Sequence, residues 1–298
     1  MRELDFIEWI CSQQEWDPSV VPVGPGDDCA VVVVGGRRLL VTTDQLLDGV
    51  HFRLDRDGAE AGGRKAMARA LSDIAAMAAR PLAAVASISA PKGFSREDAE
   101  AMYRGRRVVS EQFGCPMVGG DVAAWDGPLA ITVTVFGRPD GIEPVLRSGA
   151  RPGDAICVTG RLGGAWRTDR HLRFTPRVAE ARALAGRCDL HAMIDLSDGL
   201  AMDLRRLCKA SEVGADVAAD RIPVHPDAPD LEAALGDGED YELLFALGAG
   251  QADELVNEQP LDVPVTRIGT IVEGDSPALT GPGGKRKEMP AAGWEHRT

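Results

Sequence analysis

The chain has 298 residues, 44% of them hydrophobic and 27% charged, with a net charge of −13. That acidity disfavours a nucleic-acid partner, which needs a basic face, and no apolar run approaches the about 18 residues of a membrane span. The six cysteines form no C-x-x-C pair and the opening MRELDFIEWI mixes acids into a short apolar pattern, which argues against zinc, disulfides and a signal peptide and for a cytoplasmic protein.

At about 150 residues per domain the length suits two domains. Residues 1–20 read as a short amphipathic helix and a loop. Runs 29–35 and 38–43 are β-branched and apolar, joined by Gly35-Gly36 as a hairpin. From Gly63 to Arg80 the apolar spacing turns helical through Met67, Leu71, Ile74 and Ala78. Residues 82–90 return to strand, Ser95 and Asp98 form a capping box for a helix to Phe113, and 129–137 is a strand. Residues 138–154 are rich in proline and glycine, which places a boundary between domains 1–140 and 141–298.

The second half opens with a strand at 155–160. Thr175 as cap with Pro176 at the first helical position predicts a helix to Ala185. A further helix follows IDLSDG and runs to Ser211, and 240–247 and 265–273 read as strands. Strands and helices mix in both halves with hairpin-like connections, so the expected class is α+β. LSDIAAM (71–77) and LSDGLAM (196–202) agree at five of seven positions, which suggests two halves presenting an Asp from the same corner.

The chemistry lies in where the acids fall. Asp27, Asp28, Asp44, Asp73, Asp121, Asp195, Asp198, Glu239 and Asp240 each follow a glycine or end an apolar run. Any one could cap a helix or close an Asx-turn. Asp73 resists that reading, because it lies inside an apolar helical pattern where a charge must find a partner or shift its pKa. As a set with few interleaved lysines they point to divalent cations, since oxygen-only ligands suit Mg²⁺. Thr42 and Thr43 add hydroxyl or carbonyl oxygens beside Asp44. The spacing is not that of an EF-hand, and neither a P-loop nor a protein-kinase catalytic loop is present. Glycines at 24, 26, 119 and 120 could bring backbone N–H groups to a phosphate.

In order, GPGDDCAVV, TTDQLLDGVHF, LSDIAAMAARP, VGGD, ITVTVFG, RSGARPGD, TPRV, AMIDLSDGL and GEDYELLF resemble the thiamine-monophosphate kinase family of the aminoimidazole-ribonucleotide-synthetase-like superfamily. The resemblance implies an N-terminal ATP- and Mg-binding domain that dimerises through its sheet, and a C-terminal α/β domain covering the site. Ribbons 29–43 and 129–137 are then expected to pair across a two-fold axis. It implies ATP-dependent conversion of thiamine phosphate to thiamine diphosphate by in-line transfer. The implied Mg²⁺ ligands are Asp28, Thr42, Thr43, Asp44, Asp73, Asp121, Asp195 and Asp198. Tyr103, Gly120, Asp121, Arg147 and Ser197 would contact ATP, and His51, Glu239 and Trp294 would face the acceptor. The acceptor is a phosphate monoester with a second pKa of about 6, so no general base is expected.

Departures from the family pattern fall at Ala70, where asparagine is usual, at Val122 in GGDV, at Asp237 in GDGED, and in a shortened segment after Ala165. Two other readings stay open. One is a different ATP-using synthetase of the superfamily; the selenophosphate type would want a reactive Cys near the N-terminus, and Cys11 lacks a glycine-rich setting. The other is a catalytically silent dimeric binding protein.

Overall fold

The computed structural model describes residues 3–13 and 15–295. The fold is α+β, with two mixed sheets. The first half contains α1 (Glu3–Ser12), β1 (Ala30–Val34), β2 (Arg37–Leu47), α2 (Leu54–Ala76), β3 (Arg80–Pro91), α3 (Arg96–Gln112), β4 (Met117–Trp125) and β5 (Ala130–Arg138). Its sheet has the order β1-β2-β5-β3-β4. The β1–β2 hairpin turns at Gly35-Gly36 as the sequence predicts. β3 and β4 are parallel, and α3 supplies the crossover that parallel neighbours require. The Ser95 capping box is formed, with Ser95 Oγ accepting from Asp98 N at 3.0 Å.

The second half contains β6 (Ala155–Thr159), α4 (Val178–Arg187), β7 (Leu190–Asp195), α5 (Leu200–Ser211), β8 (Gly214–Ala218), α6 (Leu231–Gly236), β9 (Leu243–Leu247), α7 (Ala249–Glu258), β10 (Val265–Val272), β11 (Pro277–Thr280) and β12 (Arg286–Glu288). They build a sheet of order β12-β11-β8-β10-β6-β9-β7. One apolar cluster joins it to α5 and α6 through Leu204, Leu207 and Leu235. The other joins it to α4 and α7 through Leu184 and Leu255, and takes in Ala75 and Ala78 at the end of α2. The first core takes in Leu172, Phe174 and Tyr241 from the second half. α2 therefore lies between the two sheets, which is why most of its side chains are buried.

α2 and α3 pack main chain to main chain. A Cβ on Gly63 would stand 2.1 Å from Met102 O, and one on Gly105 would stand 2.0 Å from Glu60 O. Only glycine permits that approach.

Several boundaries differ from the sequence reading. α2 starts at Leu54, kinks at Gly58 and stops at Ala76. Arg80 is already in β3, because a residue before proline is pushed to extended backbone. α4 begins at Val178 and not after a Thr175 cap. The 240–247 run is strand only from Leu243. The repeated LSD pieces do not occupy equivalent corners: Asp73 is in the last turns of α2, whereas Asp198 is in the loop before α5. β5 lies between β2 and β3, so the 129–137 ribbon has no free edge to pair with a second copy.

Candidate active site

Three of the expected carboxylates converge. Asp28, at the entry to β1, Asp73, on α2, and Asp195, ending β7, bring oxygens within 4.8 Å of one another. Asp28 takes a bidentate pair from Arg147, at 3.1 Å from Nε and 2.7 Å from Nη2. Among the described residues, Asp73 receives the hydroxyl of Thr42 alone and Asp195 that of Ser72 alone, each at 2.5 Å. Of the nearby arginines, Arg147 pairs with Asp28 of the cluster itself and Arg69 with Asp44. Burial, then the neighbouring acids, push Asp73 and Asp195 above the usual carboxylate range. Asp27 is pushed up to about 6, first by burial and then by Asp28. An all-oxygen cluster of three acids in which Asp28 has an arginine partner and Asp73 and Asp195 have none bonded to them fits a hard divalent ion such as Mg²⁺.

Beside the cluster lies a cleft lined in part by His51, Glu239 and Trp294. Those are the three residues expected to face the acceptor, brought from β2's end, the loop before β9 and the C-terminal tail. Ser197 and Asp198 are in the same wall. Glu239 and Tyr241 adopt left-handed φ of 60° and 52°. They are held there by N–H bonds to Ser197 O at 2.7 Å and Leu196 O at 2.8 Å. Left-handed backbone at two non-glycine residues costs on the order of 1 kcal/mol each, a strain that clusters at functional sites. Trp294 N donates to Asp198 O at 3.0 Å, which ties the tail to the cleft.

Other expected residues stand apart. Strand alternation puts Thr43 on the face opposite Thr42 and Asp44, where its Oγ1 accepts from Thr134 at 3.0 Å. Only its carbonyl is left for the role expected of it. Gly120 and Asp121 are on β4, whose residues are exposed beyond Met117. The row through Asp44, Val133, Ala86 and Gly120 crosses three strand spacings, about 14 Å. Tyr103 is half-exposed on α3. The spacing sets Gly120 apart from Asp44 along the sheet.

Two residues escaped the sequence reading. Lys65 is fully buried, with Nζ 2.6 Å from Glu239 Oε2, 2.6 Å from His51 O and 2.9 Å from His171 Nδ1. Burial lowers its pKa to about 8 against the opposing pull of Glu239. Arg69 lines the cleft and pairs with Asp44 at 2.9 Å. The signal was present: Lys65, Arg69 and Asp73 recur every four residues along one helix. Trp166, from the shortened segment, stacks on His171 at 3.9 Å and also lines the cleft.

Residues 26–138 match the family model "AIR synthase related protein, N-terminal domain", and residues 151–281 the corresponding C-terminal domain. The chain is 38% identical to a thiamine-monophosphate kinase of Rhodopirellula baltica, over 91% of this chain and 89% of that protein. It is 33% identical to the one from Bacillus subtilis over 92% of each. Among solved structures, AaThiL complexed with AMPPCP and TMP superposes with a TM-score of 0.85 at 28% identity, covering 99% of this chain and 97% of that one. Among the described residues no helix is long and apolar enough to cross a membrane.

Proposed function

The chain belongs to the thiamine-monophosphate kinase family of AIR synthase related proteins, and we propose that it phosphorylates thiamine phosphate to thiamine diphosphate with ATP through an aspartate-held Mg²⁺ site. The observation that carries this reading is the acid cluster of Asp28, Asp73 and Asp195 set beside the aromatic cleft of His51, Glu239 and Trp294. With Thr42, Asp44 and Asp198 those acids would hold the ions. Bound Mg²⁺ would supply charge neutralisation between two polyanions, which at 4 Å and an effective dielectric of 20 repel by roughly 4 kcal/mol per charge pair.

The chain's own residues orient the reactants. Glu239, Trp166 and Trp294 in the lining suit a cationic heteroaromatic ring, with Tyr241 stacked on Phe174. His51 Nδ1 accepts the Leu47 N–H at 3.0 Å, which leaves Nε2 carrying the proton and makes the side chain a positioning group. The acceptor oxygen is already ionised, so no side chain need remove a proton from it. Arg147 and Ser197 are the nucleotide contacts nearest the acids.

Residues 1–140 act as the ATP, Mg²⁺ and dimerisation unit, and 141–298 cover the site. Gly120 and Asp121 lie apart from the acids on the exposed β4 edge, where Val118, Val122 and Trp125 are also bare, and Tyr103 is half-exposed on α3. That supports a homodimer built through this sheet, and the unpaired cysteines suit a protein working in the cytoplasm. The test is ADP release with thiamine phosphate, thiamine and an aminoimidazole precursor side by side. Turnover with thiamine phosphate alone is expected. Turnover confined to the aminoimidazole precursor would mean a synthetase, and none at all a silent binding protein.

A further inference from the structure

Arg69 has no part in the reading above, yet its position is singular. Among the described residues lining the cleft its side chain is the one permanent cation, in a lining that also holds the carboxylates of Asp198, Asp237 and Glu239. It is 14% exposed, with Nε 2.9 Å from Asp44 and Nη1 donating to Gln45 O at 3.2 Å. Arg69 therefore stands where the cleft meets the acids.

Its place on α2 gives this a scale. Lys65, Arg69 and Asp73 follow the Gly58 kink at four-residue intervals, so they share a face and rise about 6 Å from one to the next. Each meets a different part of the site. Lys65 meets Glu239 and the His51 carbonyl, at the end that suits a ring. Asp73 meets Thr42 and the acid cluster. An acceptor with its ring against Glu239 and its reactive end at the acids must pass Arg69 between them. A planar guanidinium with five donors matches the oxygens of a phosphate monoester at that level.

We infer that Arg69 binds the acceptor's own phosphate and thereby makes the cleft discriminate the phosphorylated form of its ligand from the unphosphorylated form. The inference rests on the acceptor proposed above. Asp44 and the Gln45 carbonyl fix the guanidinium before the acceptor enters, so little ordering remains to be done on binding. Ala68 and Ala70 flank it, both fully buried, so its immediate neighbours in the chain offer no donor to replace it.

The experiment is equilibrium binding of thiamine phosphate and of thiamine without nucleotide or metal, read by tryptophan fluorescence from Trp166 and Trp294 in the cleft wall. The wild-type protein should prefer the phosphate form by about 10- to 100-fold, the worth of a charge-assisted hydrogen bond. Arg69→Gln should bind both forms alike and, in steady state, raise KM for thiamine phosphate while leaving KM for ATP unchanged. Arg69→Lys keeps a charge for Asp44 but loses the fork; it guards against a folding defect and should show an intermediate preference. A preference undiminished in either variant overturns the inference. A wild-type protein that phosphorylates thiamine phosphate but binds thiamine equally well also overturns it, and leaves the proposed function standing. A wild-type protein that binds and turns over neither acceptor removes the functional reading and this inference together.

Discussion

Two groups of buried acids lie one strand apart and are built on opposite terms. Glu242 receives both ends of the Arg177 fork, at 2.8 and 2.5 Å, and the Thr159 hydroxyl at 2.7 Å. Asp240 receives Gly163 N at 2.8 Å and Arg170 at 3.0 Å. On the neighbouring strand, Asp195 and its companion Asp73 receive one hydroxyl each and otherwise face other acids. Acids of the first kind arrive with their own donors and hold the strained 239–242 turn in place. Acids of the second kind are left for something outside the chain to neutralise. The contrast marks Asp73 and Asp195 as acids with no arginine bonded to them, whereas Asp28, which would hold the same ion, keeps its Arg147 pair.

Substitution should affect the two groups in opposite ways. Asp73→Asn should cut turnover by about 10²- to 10³-fold, the scale at which one preorganised electrostatic group is felt. Its melting temperature without Mg²⁺ should stay level or rise, because a charge leaves a crowd of like charges. ADP release and thermal melts check both halves, and a clear fall in melting temperature with activity retained would break the comparison. Glu242→Gln should do the reverse. It strands Arg177, which is 18% exposed, and should cost about 3 kcal/mol of stability in urea unfolding. A Glu242→Gln protein as stable as wild type would show that the pairing is dispensable.

The next effect is smaller and concerns pH. Asp73 and Asp195 have folded pKa values raised above the unfolded value of 3.8. The native metal-free protein therefore binds more protons than the unfolded one, and their contribution to stability is lost as pH rises from about 4 through neutrality. His171 has the opposite sign: burial lowers its pKa to about 3, so its contribution is lost as pH falls from 6.5 toward 3. Because the two overlap, the useful measurement is the shift in melting temperature caused by Mg²⁺ with an ATP analogue. That shift should be small at pH 5 and large at pH 8, and an equal shift at both would mean the acids are not where the ions bind. The smallest effect is expected at His51. His51→Ala should raise KM for thiamine phosphate severalfold with a lesser change in kcat, as loss of a positioning contact does.

The sequence made the acids legible because each sits at a turn or strand end that only a polar residue would tolerate, or, like Asp73, where an apolar helix would reject it. The α+β class followed from mixed periodicities in both halves. What stayed hidden has physical causes. β4 is exposed on nearly every residue, so it carries no alternation of apolar and polar positions to read. Lys65 and Arg69 look like solvent-facing residues of a helix until packing shows that past Glu60 none of its residues is exposed. Thr43 could have been assigned to the far side of the sheet from strand alternation alone, since its neighbours Thr42 and Asp44 share a face. The loop carrying Trp166 and His171 has no periodicity, and its place beside Lys65 is set by long-range contacts.

The glycine crossing of α2 and α3 bears on how this chain can drift over generations. Side-chain packing can be exchanged piece by piece, because a neighbour can shrink where another grows. A carbonyl oxygen 2.1 Å from where a Cβ would stand has no such freedom. Gly63 lies two residues before Lys65, so even an alanine there would displace the helix that sets the heights of Lys65, Arg69 and Asp73 together. Lineages of this protein can therefore exchange most of the core around α2, while the spacing between ring end and metal end stays anchored to two residues that carry no side chain.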